Sequence, residues 1–207
     1  MGKLKYIYFD VGGVLIIDFD KSNKWQELKD DLKVSKTENG KFDEVWKNNT
    51  QRACLDYNVD NLIPILEKYL RISFPDNYSL HQDIVDRFEH NESIWDVVNK
   101  AKEKYKLGMI TNIYPGMLEK IHQKNLLEPI DWHAVVDSSV VGLQKPDNKI
   151  YKHAQDKSGV KPNEILFIDN MESNLDPVRK IGWQSFLYDP SKPEESSKLL
   201  SDYLKLT

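Results

Sequence analysis

Polar residues directly follow three short apolar runs of the sequence. Asp10 comes after Tyr-Ile-Tyr-Phe, Thr111 and Asn112 come after Gly-Met-Ile, and Asp169 comes after Ile-Leu-Phe-Ile. Lys145 lies in a loop just before a predicted helix. The ligand crevice of an open parallel sheet lies beyond the carboxyl ends of its strands, so we expect these residues to meet in one cleft. Carboxylates, a hydroxyl group and an ammonium group gathered there are suited to nucleophilic and electrostatic catalysis.

Five apolar runs would position these residues, and they have the length and the branched or aromatic content of buried strands. They cover residues 6–9, 107–110, 134–136, 165–168 and 185–188. Helical patterns alternate with them at residues 93–105, 115–124, 146–157 and 174–181, and an amphipathic pattern covers 194–206. This alternation predicts an α/β fold with a Rossmann-like parallel sheet and right-handed crossovers.

Residues 22–90 interrupt the alternation of strands and helices. They contain helical patterns and no convincing strand, at residues 22–33, 41–48, 59–71 and 80–88. We therefore expect an all-helical cap domain at 18–91, inserted into a core formed by 1–17 and 92–207. Trp25, Trp46 and Tyr57 in the insertion are able to contact a sugar face, although packing inside the cap is the commoner use of such residues.

Four segments resemble the motifs of the haloacid dehalogenase (HAD) superfamily, in the order that the family shows. They are Phe-Asp-Val-Gly-Gly-Val-Leu at 9–15, Ile-Thr-Asn at 110–112, Gly-Leu-Gln-Lys-Pro-Asp at 142–147 and Phe-Ile-Asp-Asn-Met-Glu-Ser-Asn at 167–174. A single such segment is more often a turn or a helix cap. Four in order, on elements of the right type, are specific. The resemblance covers about 4–17 and 92–190, and it points to subfamily I, which carries a small helical cap.

The resemblance implies a Mg²⁺-dependent phosphatase that works through an aspartyl-phosphate intermediate. Asp10 would be the nucleophile, because a carboxylate that attacks phosphorus forms an acyl phosphate. Lys145 and the metal would neutralise the phosphate. Asp10, Asp169 and the carbonyl group of Gly12 would supply the oxygen ligands that Mg²⁺ prefers, and waters and a phosphate oxygen would complete the octahedron.

The remaining site residues would bind the phosphate. The hydroxyl group of Thr111 and the backbone N–H groups that follow, beginning at Asn112, are expected to hold its equatorial oxygens, together with Lys145. Gly12 and Gly13 would let the backbone turn tightly and approach the phosphate closely.

Gly12 departs from the family pattern. Phosphatases of this family usually carry a second Asp at that position, two residues after the nucleophile, which protonates the leaving oxygen and later activates water. Loss of a general acid-base typically costs about 10²–10⁴-fold in rate. Asp18 and Asp20 lie close in sequence, in the expected hinge, where a hinge or surface role is favoured over a catalytic one. Phe-Asp-x-Gly followed by Asp-x-Asp resembles the glucose-1-phosphatase-like members, so a sugar phosphate is the expected substrate.

Two other functions remain open from the sequence. The first is a catalytically weak phosphate-binding or regulatory protein of the same fold, because a fold does not fix a function. The second is a haloacid dehalogenase, although those family members carry Tyr at the position of Gly12 and need no metal, and the paired Asp169 argues against that chemistry.

Composition limits the partners. The 207 residues carry a net charge of −4 and have a pI of about 5.8, which argues against a general nucleic-acid binder. No apolar run approaches the roughly 18 residues of a membrane span, and Cys54 is the single cysteine. We expect a cytoplasmic enzyme that binds a small phosphorylated molecule. Its oligomeric state is not readable from the sequence.

Overall fold

The central element of the computed structural model, which describes residues 3–50 and 52–206, is a five-stranded parallel sheet. Its strands are β1 (Tyr6–Phe9), β4 (Lys106–Thr111), β5 (Ala134–Asp137), β6 (Ile165–Asp169) and β7 (Gln184–Leu187). They lie in the order β5-β4-β1-β6-β7. β1 therefore occupies the middle of the sheet, between the strands that end at Thr111 and Asp169.

Strand β1 is buried on both faces. Ile7 and Phe9 belong to one hydrophobic cluster, whereas Tyr6 and Tyr8 belong to a second, and all four side chains are inaccessible to solvent. Successive side chains of a strand point to opposite faces, so a strand covered by helices on both sides reads as one continuous apolar run. The sequence Tyr-Ile-Tyr-Phe has this property, which explains why it forms a central strand.

Six helices accompany the sheet strands in the described part of the chain: α5 (Glu92–Ala101), α6 (Met117–Gln123), α7 (Ser138–Val141), α8 (Asn148–Ser158), α9 (Glu172–Lys180) and α10 (Pro193–Leu204). Helix α8 begins where the Asp147 side chain accepts a hydrogen bond from the Lys149 N–H and ends at Gly159, whose φ is +68°. Helix α5 buries Ile94, Val97 and Val98 at helical spacing.

A second group of helices lies between the first and second strands of the sheet. It comprises α1 (Lys24–Asp31), α2 (Asn39–Asn49), a 3₁₀ turn (Val59–Leu62), α3 (Ile63–Leu70) and α4 (Leu80–Asp86). Two short antiparallel strands, β2 (Ile16–Ile17) and β3 (Glu89–His90), pair where this helical segment leaves and rejoins the sheet. In the described ranges, no helix is long and apolar enough to cross a membrane.

The predicted α/β class and its parallel sheet are confirmed, and each of the five sheet strands lies within one or two residues of its predicted bounds. One expectation was wrong: residues 22–90 contain strand β3, whose pairing with β2 joins segments more than 70 residues apart in the chain. The helical pattern at 59–71, which Pro64 was expected to interrupt early, is a 3₁₀ turn followed by α3, with Pro64 in the first turn of α3. The division into a core and a cap stays a prediction.

Candidate active site

Lys145 joins two acidic residues at the carboxyl ends of neighbouring strands. Its Nζ lies 2.7 Å from Oδ2 of Asp10, at the end of β1, and 2.8 Å from Oδ2 of Asp169, at the end of β6. All three side chains are almost completely buried. Two carboxylates and one ammonium leave one surplus negative charge in a place where water cannot screen it.

Burial and the neighbouring charges shift the pKa values of Asp10 and Lys145. Burial raises the pKa of Asp10 to about 8, against the opposing effect of Lys145 and with a further contribution from Asp169. Burial alone would lower the pKa of Lys145, but the charges and hydrogen bonds of the two carboxylates outweigh it and raise the pKa. The ammonium therefore stays charged, and the Asp10 carboxyl binds its proton more tightly than an exposed aspartate does.

Asp169 is held in place by the start of α9. The backbone N–H of Met171 donates to its Oδ1 at 2.8 Å, and the side-chain amide of Asn174 donates to both carboxylate oxygens at 3.1 Å. Helix α9 begins at Glu172, two residues before the predicted start. Asn174 therefore lies in its first turn, facing the carboxylate. The sequence motif contains Asn174, but no positioning role was predicted for it.

Asn112 fixes the backbone of Lys145. Its Oδ1 accepts a hydrogen bond from the Lys145 N–H at 2.8 Å, and its Nδ2 donates to the Lys145 carbonyl group at 2.9 Å. The Asn112 side chain thus places the ammonium, a role that was not predicted, whereas its backbone N–H is the group expected to bind the phosphate. Thr111 ends β4, next to the end of β1, and is buried. The structure thus places both residues of the predicted pair beside the Asp10–Lys145–Asp169 cluster.

The loop after Asp10 curls around one carbonyl group. The Val11 carbonyl accepts hydrogen bonds from the N–H groups of Leu15 and Ile16 at 2.9 and 3.0 Å. Gly13 has a φ of +71°, and a Cβ atom added there would lie 2.4 Å from Nδ2 of Asn170. This position requires glycine on both conformational and steric grounds. The predicted tight turn is present.

Asp18 fills the space beside Gly12. A Cβ atom built on Gly12 would lie 2.4 Å from Oδ2 of Asp18, so this carboxyl group occupies the start of the path that a side chain at position 12 would take. Asp18 Oδ1 accepts a hydrogen bond from the Asp20 N–H at 2.9 Å, and burial raises the pKa of Asp18 to about 6. Asp20 itself is exposed and accepts a hydrogen bond from Asn170 at 2.9 Å. The two downstream aspartates therefore have different surroundings.

The acidic cluster fits a magnesium ion by its donor set. Asp10 and Asp169 are carboxylates with a surplus negative charge, and the Gly12 carbonyl belongs to the same loop. Mg²⁺ is usually held by one or two carboxylates and keeps several waters, rather than sitting in a cage built from protein alone. The described part of the chain shows no group of three or more His, Cys, Asp or Glu side chains arranged for a metal.

A cavity of about 470 Å³ opens next to the cluster, with Asp18 and Asn112 in its wall. The helical segment between β2 and β3 and the chain after β4 form its sides. Eight apolar or aromatic residues line it: Phe19, Trp25, Trp46, Ile84, Phe88, Ile113, Tyr114 and Met117. Its volume lies in the range of small-molecule pockets, about 300–1,000 Å³. Tyr57 packs against the hydrophobic core and does not line the cavity.

The other lining residues are polar, and most already have protein partners. Asp43 accepts hydrogen bonds from Trp25 Nε1 at 2.7 Å and from Lys29 Nζ at 3.2 Å. Burial raises the pKa of the Cys54 thiol to about 11, so the thiol is neutral and acts as a weakly polar part of the wall. The cavity is thus largely apolar and lies beside the charged Asp10–Lys145–Asp169 cluster.

Comparison with known proteins places the chain among the HAD-like hydrolases. Residues 4–171 match the family model described as "haloacid dehalogenase-like hydrolase". Because this match covers most of its length, the chain belongs to that family, and it is an enzyme of the hydrolase class. The membership confirms the superfamily that the four motifs predicted.

Relatives of known name are longer than this chain. It is 23% identical over 204 residues to bifunctional epoxide hydrolase 2 of Sus scrofa, with 89% of this chain and 36% of that protein covered. It is 42% identical over 122 residues to the Rattus norvegicus protein of that name, covering 56% of this chain and 22% of the relative. The chain thus spans about a third or less of these relatives.

Solved structures share the fold. A HAD family enzyme from Bacteroides thetaiotaomicron, crystallised as a magnesium complex, matches with a TM-score of 0.73 and 21% identity, with 96% of this chain and 99% of that chain covered. L-2-haloacid dehalogenase from Xanthobacter autotrophicus matches with a TM-score of 0.63 and 18% identity, with 89% and 77% covered. At these identities the matches establish the α/β fold alone, and the roles of individual residues stay predictions.

Proposed function

We propose that this protein is a Mg²⁺-dependent phosphomonoesterase that acts on a small phosphorylated molecule. The observation that carries the proposal is the buried Asp10–Lys145–Asp169 cluster, which offers a nucleophile, a fixed positive charge and a carboxylate pair for a metal. It lies beside a cavity whose wall contains Asn112, the residue that is hydrogen-bonded to the Lys145 backbone. The magnesium complex of the Bacteroides relative supports the choice of cation. The proposed division of the chain places the cap at 18–91 over a core of 1–17 and 92–207.

Asp10 would carry the chemistry in two steps. A carboxylate oxygen of Asp10 attacks phosphorus, an acyl phosphate bond forms, and the bond between phosphorus and the leaving oxygen breaks. Water then attacks phosphorus, which restores Asp10 and releases inorganic phosphate. Lys145 stays charged throughout and balances the phosphate, and Thr111 with the N–H groups after it holds the equatorial oxygens.

Asp18 would move the protons in both steps. In the first step its protonated carboxyl group donates to the leaving oxygen, and in the second its carboxylate takes a proton from water. Its position beside Gly12 supports this assignment, because the family's usual acid would project from that residue. The hinge role first favoured for Asp18 is compatible with it, since Asp18 directly follows β2.

Magnesium would be held by Asp10, Asp169 and the Gly12 carbonyl. When bound, it supplies positive charge that orients the phosphate and stabilises its transition state. Asn174 and the Met171 N–H keep the Asp169 carboxylate oriented toward the site, so the metal-binding pair is preorganised by the first turn of α9.

A phosphate-release assay with and without EDTA tests the proposal against its alternatives. A phosphatase of this kind loses activity in EDTA and recovers it with added Mg²⁺. A binding protein retains phosphate analogues without turnover. A dehalogenase releases halide from 2-haloacids with the chelator present, and the two buried carboxylates held by Lys145 argue against it. Epoxide hydrolysis is not proposed, because the chain covers only 36% of the porcine relative that bears this name.

A further inference from the structure

Two of the most polar side chains in the wall of the cavity beside the acidic cluster are already engaged within the protein, and the polar groups left are mainly the Asp18 carboxyl, the Tyr114 hydroxyl, the Trp46 N–H and the Cys54 thiol. The Asn112 side chain is engaged by both backbone groups of Lys145, and Asp43 already accepts hydrogen bonds from Trp25 and Lys29. The rest of the wall is mainly aromatic and aliphatic. A sugar carries a hydroxyl group on nearly every carbon, and each hydroxyl group buried without a partner is unfavourable.

Three aromatic rings in the cavity wall pack edge to face against one another. Trp25 and Trp46 meet at 4.6 Å between ring centroids with an angle of 75°, and Phe19 packs edge-on against Trp25 at 5.8 Å. These rings belong to the helical segment and to the chain that leads into it, whereas Ile113 and Met117, which also line the cavity, belong to the chain after β4. An apolar ligand in the cavity would therefore contact apolar side chains from both parts of the chain.

Resting on the proposed phosphatase function, we propose that the substrate is a phosphomonoester of a compact, apolar, ring-sized alcohol, and not a sugar phosphate. The phosphate would lie at Asp10 and Lys145, and the alcohol would fill the cavity between Trp46 and Met117. This replaces the sugar phosphate expected from the sequence resemblance. It also gives Trp25 and Trp46 a function in substrate selection.

Two substrates with the same ring size and similar leaving-group chemistry test the proposal. Cyclohexylmethyl phosphate and glucose 6-phosphate both release a primary alcohol attached to a six-membered ring, but only glucose carries hydroxyl groups on that ring. Each methylene removed from water contributes about fourfold to binding, so burial of two or three methylenes predicts a kcat/KM at least about tenfold higher for cyclohexylmethyl phosphate. Equal values, or a preference for glucose 6-phosphate, would overturn the proposal.

Variants of Trp46 link the preference to the wall. We expect Trp46→Gln to bring the ratio of the two kcat/KM values close to one, whereas Trp46→Phe, which keeps an apolar ring, should retain most of it. A smaller fraction of folded protein would lower the kcat/KM values of both substrates by the same factor and leave their ratio unchanged. A Trp46→Gln ratio equal to that of the wild type would contradict the assignment of this wall.

Acetyl phosphate separates this inference from the function on which it rests. This small ester has a good leaving group and hardly enters the cavity, so its hydrolysis reports the acidic cluster alone. Turnover of acetyl phosphate with a preference for glucose 6-phosphate refutes the apolar substrate and leaves the phosphatase standing. If no ester is turned over, the phosphatase proposal fails. Calorimetric binding of the two ring phosphates then decides the apolar preference, which a tighter Kd for glucose 6-phosphate would refute.

Discussion

Replacement of Asp18 by Asn tests how this site protonates a leaving group. The substitution keeps the shape of the side chain and its acceptor oxygen, but it removes the transferable proton. The effect should depend on the leaving group, because a stable anion departs without help and an alkoxide does not. We therefore compare acetyl phosphate, a good leaving group, with cyclohexylmethyl phosphate, a poor one, in single-turnover measurements of phosphate transfer to Asp10.

The magnitude follows from the pKa of Asp18, which burial raises to about 6. A carboxyl group with this pKa is about nine-tenths protonated at pH 5 and about 3% protonated at pH 7.5. At substrate concentrations well below the Kd, where the rate reports the pKa of the free enzyme, proton donation to cyclohexylmethyl phosphate should therefore weaken about 30-fold over this range, relative to acetyl phosphate. Taking the ratio of the two rates removes the ionisation of Asp10, which both substrates share, and the second pKa of each phosphate, titrated separately, corrects for the ionisation that they do not share. In Asp18→Asn the ratio should be about 10²–10⁴-fold lower at pH 5 and independent of pH.

Asp20→Asn is the matched control. It removes a carboxylate two residues away, whose partner is Asn170, and it leaves the backbone N–H that donates to Asp18 in place. We expect its ratio at pH 5 to equal that of the wild type and its pH profile to shift only slightly to lower pH, because the charge of Asp20 contributes to the raised pKa of Asp18. If Asp18→Asn changes the ratio by less than about threefold, or if Asp20→Asn shows the larger effect, Asp18 is not the acid.

A double variant tests whether an aspartate at position 12 can replace Asp18 as the proton donor. Gly12→Asp alone should not help, because its Cβ would lie 2.4 Å from the Asp18 carboxyl oxygen. In Gly12→Asp/Asp18→Ala the obstructing carboxyl group is absent, so the new side chain can take the family's usual path. Recovery of at least tenfold over Asp18→Ala on cyclohexylmethyl phosphate is expected from restored acid catalysis, which is typically worth about 10²–10⁴-fold.

Three further predictions concern the rest of the site. Asp10→Asn should lower phosphate release at least about 10²-fold while circular dichroism stays unchanged, because only the carboxylate forms an acyl phosphate; activity within tenfold of wild type would exclude Asp10 as the nucleophile. The Kd for Mg²⁺ measured by calorimetry should fall about 50-fold from pH 6 to pH 8, because Asp10, with a pKa raised to about 8, must release its proton to bind the cation. A pH-independent Kd would contradict this. Gly13→Ala should lower the free energy of unfolding by about 2–4 kcal/mol, because Gly13 has a φ of +71° and an added Cβ would clash with Asn170. The control Gly142→Ala has a φ of +68° but open space around it, so it should cost only about 1 kcal/mol. Equal losses in the two variants would show that the clash at Gly13 is relieved.

The sequence was sufficient for the sheet and for the residues at its edge. Strand β1 has its predicted bounds because Tyr-Ile-Tyr-Phe is uniformly apolar and ends at a charged residue. Asp10 and Asp169 meet because parallel strands bring their carboxyl ends to one edge, a rule that requires only the strand order along the chain. Local patterns carried this information.

The features that were not predicted from the sequence depend on tertiary contacts. The pairing of Ile16 with His90 involves two residues on each side, which is too short to give an alternating pattern. The position of Asp18 against Gly12 results from the curl around the Val11 carbonyl, and hydrogen bonding of that kind leaves no periodic signal. The polarity of the cavity wall also depends on tertiary contacts, because the Asp43 carboxylate is paired with Lys29 and accepts a hydrogen bond from Trp25.

The charge of the site explains why a displaced acid can work here. Asp10, Asp169 and Lys145 together carry one negative charge, and an arriving phosphate dianion brings two more, of which Mg²⁺ compensates two. An ionised carboxylate at Asp18 would add to this surplus, so substrate binding itself favours the protonated form of Asp18. Burial already raises its pKa to about 6, and the phosphate acts in the same direction. The proton donor is therefore in its active state when the substrate is bound, and it ionises as the proton passes to the departing alcohol.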